Sequence, residues 1–162
     1  MKELPANKLD PRIKVVWRIS DAASITMAFV GIALAVGFMA WLFAEGALAV
    51  ALGVVAAAWA VVLVVWMAVV IPLRYVRWRY ELSPEYLDIA RGIIVRKRFI
   101  VPFIRVQNTD TRQGPILRMC GLASVTVSTA AGEHVIPGLR ADEAEELRDR
   151  AAEFARLARE DV

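Results

Sequence analysis

Residues 22–44 read AASITMAFVGIALAVGFMAWLFA, and residues 46–73 read GALAVALGVVAAAWAVVLVVWMAVVIPL. Neither stretch contains a charged residue, and only Glu45 separates them. A helix rises 1.5 Å per residue, so about 20 apolar residues cross a hydrocarbon core about 30 Å thick. The two stretches, 22–73 together, therefore predict a membrane α-hairpin of two transmembrane helices, with its turn near residues 45–46.

The rest of the chain is too small to make these stretches the core of a soluble protein. Of the 162 residues, 58% are hydrophobic and 23% charged, and the mean hydropathy is +0.49. Two buried helices would need a polar shell that residues 74–162 cannot supply. A cleaved signal peptide is the other reading, but its apolar core runs only about 7–15 residues. The composition argues against an ordinary cytosolic enzyme, and the single cysteine, Cys120, argues against a disulfide scaffold.

Basic residues flank the two stretches on one side only. Five Lys and Arg lie within residues 1–21, and Arg74, Arg77 and Arg79 follow the second stretch, whereas the turn at Glu45 has none. Lys and Arg concentrate in cytoplasmic loops and segments. We therefore predict that the N-terminal segment 1–21 and the domain 74–162 both lie in the cytoplasm.

Small residues recur at every fourth position in both predicted spans, at Ala33 and Gly37 in the first and at Ala49, Gly53 and Ala57 in the second. Such seams let helix backbones approach closely. We expect the two spans to pack on each other along these seams; the alternative is an interface between copies. Neither span contains an ionisable residue, which ion and proton pathways usually need. Transport is therefore conceivable only for an oligomer, as a subunit of a larger transporter.

The hydrophobic period changes after the second stretch, and the pattern predicts β-strands over about 75–137 followed by one helix over about 141–159. Charged and apolar residues alternate in the first strand, as in a half-buried sheet. Arg91-Gly92 is read as a tight connection, and Pro137-Gly138 as the end of the last strand. The predicted strands are 77–82, 86–90, 93–101, 104–111, 123–129 and 134–136, with a short helical turn at 116–120.

The order of several motifs resembles the bacterial pleckstrin-homology-like proteins with membrane-flanked domains, of the YdbS type. No single motif is diagnostic, but together they extend over nearly the whole chain. The matching segments are 17–19 (WRI), 80–83 (YELS), 102–107 (PFIRVQ), 113–118 (QGPILR), 121–130 (GLASVTVSTA) and 138–144 (GLRADEA). The resemblance implies a pleckstrin-homology-like (PH-like) split barrel, mainly β, capped by the C-terminal helix.

The resemblance has further implications for location and partners. It places the protein in the bacterial inner membrane and suggests, as a partner, a larger sibling with more membrane-flanked units. It supplies no catalytic residues.

A basic cluster, Arg91, Arg96, Lys97 and Arg98, follows the predicted second strand. Residues 74–118 hold ten Lys and Arg against four acids, and residues 119–162 hold five against nine. Anionic lipid attracts basic side chains near a bilayer surface. The cluster is either a lipid-headgroup surface or simply a solvated strand, and specific phosphoinositide or nucleic-acid binding is not expected.

Other candidate residues are few. Arg105 and Gln107 are predicted on one face of a strand, where they either bind a partner or fix the fold through backbone hydrogen bonds. His134 is the only histidine, and no Cys or His cluster accompanies it, so no metal site is expected. We find no Gly-rich phosphate loop and no nucleophile turn, and thus predict no cofactor and no catalytic site.

Three functional hypotheses follow. The first is a non-enzymatic membrane protein whose cytoplasmic PH-like domain is a protein-interaction module, with a related membrane protein or a second copy as partner. The second is an anionic-lipid surface sensor that uses the basic cluster. The third is a subunit of an oligomeric transporter.

Overall fold

The computed structural model describes residues 4–43 and 48–160, and these form two compact units. One unit is helical and spans Trp17–Pro72. The other combines the described residues of Met1–Val16 with those of Leu73–Val162. The predicted turn near 45–46 lies outside the described residues.

Two long helices contain the apolar stretches. Helix α1 spans Ile13–Phe43, and α2 spans Leu48–Val65 and continues through a π-helical turn, Trp66–Val70, into α3, Ile71–Arg77. Both helices are long and apolar enough to cross a membrane, with mean hydropathies of 2.2 and 2.8 over their most apolar windows. Only 0% and 6% of the residues in these windows are buried, whereas the core helix of a soluble protein would be mostly buried.

The π-helical turn ends at Val70, two residues before Pro72. Proline has no N–H to donate to the carbonyl group four residues earlier, and its ring clashes with that carbonyl. A local π-bulge widens the turn at such a place and keeps the helix continuous. This accounts for one uninterrupted helical path through Arg77.

Two indole groups set the rotation of the second helix within the helical unit. Trp59 Nε1 donates to Thr26 Oγ1 at 3.2 Å, and Trp66 Nε1 donates to Asp21 Oδ2 at 2.9 Å. The half-buried side of α2 accordingly follows Ala51, Val55, Trp59 and Leu63.

The predicted seam-to-seam packing is wrong for the second helix. Ala33 and Gly37 do lie on the half-buried side of α1, and a Cβ atom at Gly37 would lie 4.0 Å from Leu48 Cδ1. Ala49, Gly53 and Ala57 are exposed instead, and a Cβ atom at Gly53 would meet no described atom within 4 Å. The reason is that both indole rings must face α1, which turns the small-residue side of α2 away from it.

The second unit contains two antiparallel three-stranded sheets and a C-terminal helix, as expected of a PH-like split barrel. The sheets have the strand orders β1-β2-β3 and β4-β5-β6, and α5 packs against β4 and β5. The core includes the fully buried Leu87, Phe103, Val125 and Ile136. The elements are β1 Arg79–Leu82, β2 Tyr86–Arg91, β3 Lys97–Pro102, a 3₁₀ turn Phe103–Arg105, β4 Val106–Arg112, α4 Pro115–Met119, β5 Leu122–Thr129, β6 Gly132–Arg140 and α5 Ala141–Glu160.

Three strands start later than the sequence predicts. Arg77 ends helix α3, so β1 begins only at Arg79. Gly92, with φ at +119°, turns the chain into a loop over residues 92–96, so β3 begins at Lys97 rather than residue 93. The 3₁₀ turn contains Arg105, so β4 begins at Val106.

Strand β6 also runs further than predicted, because Pro137-Gly138 forms a bulge rather than an end. Ala123 pairs with Leu139 and Val125 with Ile136, so β6 carries one extra residue there. Pro137 has no N–H for the ladder, and Gly138 adopts φ +64°, a combination that a bulge accommodates.

The N-terminal segment is part of this unit, although residues 1–21 were expected to form a separate segment. Asn7 and Tyr80 exchange backbone hydrogen bonds of 3.0 and 3.1 Å, which extends the edge of β1. Asp10 N–H donates to the Gly138 carbonyl at 3.0 Å, and the Tyr75 hydroxyl donates to the Leu9 carbonyl at 3.1 Å. The domain is therefore assembled from segments that precede and follow the two long helices in the sequence.

Candidate functional site

The basic cluster lines one side of a groove of about 410 Å³ in the PH-like unit. Besides Leu4, the residues that line the groove lie at the end of α3, on strands β1 and β2, and at the start of β3 with its preceding loop. Apolar walls come from Leu4, Val76 and Ala90. The six basic lining residues are Arg77, Arg79, Arg91, Arg96, Lys97 and Arg98.

Arg98 differs from its neighbours because it is paired with a buried carboxylate. Its Nε lies 3.0 Å from both carboxylate oxygens of Asp88, whose side chain is only 3% exposed. This hydrogen bonding is the main cause that raises the pKa of Arg98 above its ordinary value. The pair connects β2 to β3 and identifies Arg98 primarily as a structural residue.

Arg91, Arg96 and Lys97 are exposed. Arg91 and Lys97 are directly opposed in the β2–β3 register, and the Arg91 guanidinium lies 5.1 Å from the centre of the Phe99 ring. Two like charges held opposite each other on a strand pair repel. An anion bound between them would relieve that repulsion.

A second concave surface lies between strands β3 and β4 and has a volume of about 740 Å³. Arg105 and Gln107 both line it, and both are exposed. Their predicted position on one strand face is wrong. Arg105 ends the 3₁₀ turn, while Gln107 is the extra residue of a bulge, since Val106 pairs with Thr129 and Asn108 with Ser128.

The walls of this β3–β4 cleft are largely apolar. Ile100 and Ile104 are each 48% exposed there, and Arg159 of α5 donates to the Val106 carbonyl at the cleft's rim. Neither Arg105 nor Gln107 donates a side-chain hydrogen bond to another described residue, so both remain available to a bound segment.

His134 lines the same cleft, with its ring centre 5.3 Å from that of Phe99. Burial lowers the pKa of His134 below its ordinary value, and the nearby charge of Arg91 lowers it further. The imidazole is consequently neutral near pH 7. Within residues 4–43 and 48–160, no group of three or more His, Cys, Asp or Glu could hold a metal ion.

Some residues of these surfaces were not singled out from sequence. Arg77 and Arg79 were assigned only to membrane topology, and Leu4 and Val76 had no role. All four residues lie in the segments that flank the long helices, and this position is the signal that they share in the sequence. Only the folded unit brings them next to the basic cluster. Asp88 carried no sequence signal as the partner of Arg98.

Two helices of membrane length, followed by two three-stranded antiparallel sheets and a closing helix, define a membrane protein with a PH-like domain. The profile of the family described as "Bacterial PH domain" matches residues 12–155. The chain is also 38% identical over 167 residues to "UPF0699 transmembrane protein YdbS" of Bacillus subtilis (strain 168), and the match covers 100% of both chains. No solved structure matches.

The chain therefore belongs to the bacterial PH domain family and is a transmembrane protein. The resemblance drawn from its motifs is confirmed, as is the expected fold of a two-helix membrane region with a PH-like domain.

Proposed function

We propose that the chain crosses the bacterial inner membrane twice, with both termini in the cytoplasm. The support is that Met1–Val16 and Leu73–Val162 contribute to one folded unit, although both long helices separate them in sequence. Segments on opposite sides of a membrane could not form one unit, so this assembly supports an even number of crossings. The Lys and Arg that flank the spans support the cytoplasm as that side.

We further propose that the PH-like domain is a protein-interaction module, acting by binding rather than catalysis. The observation that carries this is the β3–β4 cleft, in which Arg105 and Gln107 flank the exposed Ile100 and Ile104. The partner we infer is a related membrane protein with bacterial PH domains.

The cleft suits an extended segment of such a partner. In the part of the chain that the structure describes, β3 and β4 are each an edge strand of their sheet. The edge of a sheet presents N–H and C=O groups to which an added strand can bind, while side pockets give specificity. The half-exposed isoleucines would supply apolar contact, and Arg105 and Gln107 would donate hydrogen bonds.

Ile104→Arg tests this proposal. Tagged full-length chain, purified in mild detergent from its native membranes, should carry a second membrane protein of the bacterial PH domain family. Placing a charge at the cleft should reduce that recovery about tenfold or more, as expected when a central interface residue is lost. The matched control is Met119→Arg, since Met119 is 85% exposed and lies outside the cleft.

The two variants should have the same thermal stability, which excludes unfolding as the cause. Equal recovery with Ile104→Arg and Met119→Arg would contradict the role of the cleft. Repeated recovery of the chain alone would contradict the module, and a native mass of two copies would identify the partner as the chain itself.

A second function, binding of anionic lipid at the domain surface, is favoured by one observation. Six basic side chains line a single groove that includes Arg77, the last residue of the second membrane-length helix. Basic residues next to a membrane gain about 1 kcal/mol each from anionic lipid. Arg91, Arg96 and Lys97 are the members that we expect to contact headgroups.

Native mass spectrometry of the full chain tests the lipid function. The triple variant Arg91→Ala, Arg96→Ala and Lys97→Ala should retain severalfold less phosphatidylglycerol than the wild type. Arg148→Ala, Arg150→Ala and Arg156→Ala on α5 remove the same charge elsewhere and should leave retention unchanged. If both triple variants lost the same amount of bound phosphatidylglycerol, net charge alone would explain the binding. That result would contradict a specific lipid-binding surface.

A further inference from the structure

The loop between β2 and β3, residues 92–96, exposes two adjacent aliphatic side chains. Ile94 is 95% exposed and Val95 is 66% exposed. Single exposed apolar residues are common on soluble surfaces. Here, however, the two are neighbours at the tip of one loop, and almost the whole Ile94 side chain lies outside the fold.

The loop has a defined shape and is tied to the end of a membrane-length helix. Gly92 adopts φ +119°, and a Cβ atom at this position would collide with the Val95 carbonyl oxygen, so the loop closes tightly on itself. The Arg77 guanidinium donates to the Ile93 carbonyl, and Arg77 is the last residue of α3. A loop held in this way has little conformational freedom to lose when it docks.

The charge around the tip fits one type of surface. Residues 91–98 contain four basic residues and no acidic one. Arg98 binds Asp88, while Arg91, Arg96 and Lys97 are exposed on both sides of the apolar tip. An apolar tip between cations matches a bilayer interface, where acyl chains lie beneath anionic phosphates.

We propose that the 92–96 loop is a membrane anchor, in which Ile94 and Val95 insert into the interface of the bilayer that the long helices cross. The flanking Arg91, Arg96 and Lys97 bind the phosphates of anionic lipids. The inference deepens the lipid-binding function by adding an apolar contact to it. It also rests on the two-pass arrangement.

A depth measurement on the full chain tests the anchor. Cys120→Ser removes the only native cysteine, and Ile94→Cys then carries an environment-sensitive nitrobenzoxadiazole label in nanodiscs that contain phosphatidylglycerol. Lipids with a nitroxide just below the headgroup should quench this label severalfold. The matched label at Met119→Cys should be unaffected; both native side chains are at least 85% exposed, so neither substitution disturbs packing.

Equal quenching at positions 94 and 119 would overturn the anchor. A label at 94 that loses water contact without nitroxide quenching would also overturn it, by showing that the loop packs on protein. If the label at 94 is still quenched in the Arg91, Arg96 and Lys97 triple variant, the apolar anchor stands without the headgroup contacts. Those contacts are tested separately, by lipid retention. Labelling of the domain from outside the cell would show instead that the two-pass arrangement had failed.

Discussion

Gly138→Ala is expected to destabilise the PH-like unit by about 2–5 kcal/mol. A left-handed backbone costs an L-residue about 1–2 kcal/mol, and overpacking a core costs about 1–3 kcal/mol. Both apply, because Gly138 has φ +64° and its new Cβ atom would lie 2.5 Å from Cγ1 and Cδ1 of Ile13. Ile13 is only 1% exposed and cannot easily move aside. Thermal unfolding of the detergent-solubilised chain measures the loss.

The natural control is Gly132→Ala. Gly132 has φ +134°, but a Cβ atom there would meet no described atom within 4 Å, so only the backbone cost applies. Hydrogen exchange should also rise over residues 4–16 in Gly138→Ala and not in Gly132→Ala. Adding Ile13→Ala to Gly138→Ala should restore part of the lost stability, because it removes the clash. Equal destabilisation by the two glycine substitutions would contradict the packing of the N-terminal segment on β6.

Arg98→Ala is expected to destabilise the PH-like unit, because it leaves the buried Asp88 carboxylate without this partner. The Asp88 side chain is only 3% exposed, so water cannot fully solvate its charge once the guanidinium is removed. Thermal or urea unfolding measures the loss. Lys97→Ala, one residue away and exposed, should change stability by less than about 0.5 kcal/mol.

The double variant Arg98→Ala, Asp88→Leu distinguishes loss of a pair from loss of a general surface charge. Replacing both charges by apolar groups removes the unpaired carboxylate and should restore most of the lost stability. If Arg98→Ala were as mild as Lys97→Ala, the ion pair would not be structural. The lipid experiments above therefore change residues 91, 96 and 97 and leave Arg98 in place.

The features predicted well from sequence were those that local composition determines. Charge-free length identified the two membrane helices, and apolar spacing with acidic early turns identified α5. The short helix α4 begins at Pro115, within a residue of its predicted start. In each case, one segment carries the whole signal.

The features that were missed depend on contacts between distant segments. Nothing local to Pro137-Gly138 shows that β6 continues through a bulge, because the continuation depends on its pairing with β5. The rotation of α2 depends on Trp59 and Trp66 bonding to α1. Likewise, the N-terminal segment joins the domain through Asn7 and Asp10, whose partners lie more than seventy residues away.

The candidate site shows the same division. Sequence reasoning found the basic residues and Arg105 with Gln107, because their types are conspicuous. It did not separate Arg98 from its neighbours, since the buried Asp88 that engages it lies on the adjacent strand. It also could not show that Arg105 and Gln107 line a cleft, because residues of β3, β4 and α5 form that cleft only in the folded unit.

We propose that segments before and after the two long helices meet in one folded unit on the cytoplasmic side of the membrane. Single-cysteine labelling in a Cys120→Ser background tests this topology, with a membrane-impermeant maleimide applied to intact cells. Lys8→Cys and Met119→Cys should react only after the membrane is permeabilised, whereas Glu45→Cys should react in intact cells. Labelling of positions 8 and 119 from opposite sides of the membrane would contradict the account, because the unit could not then assemble.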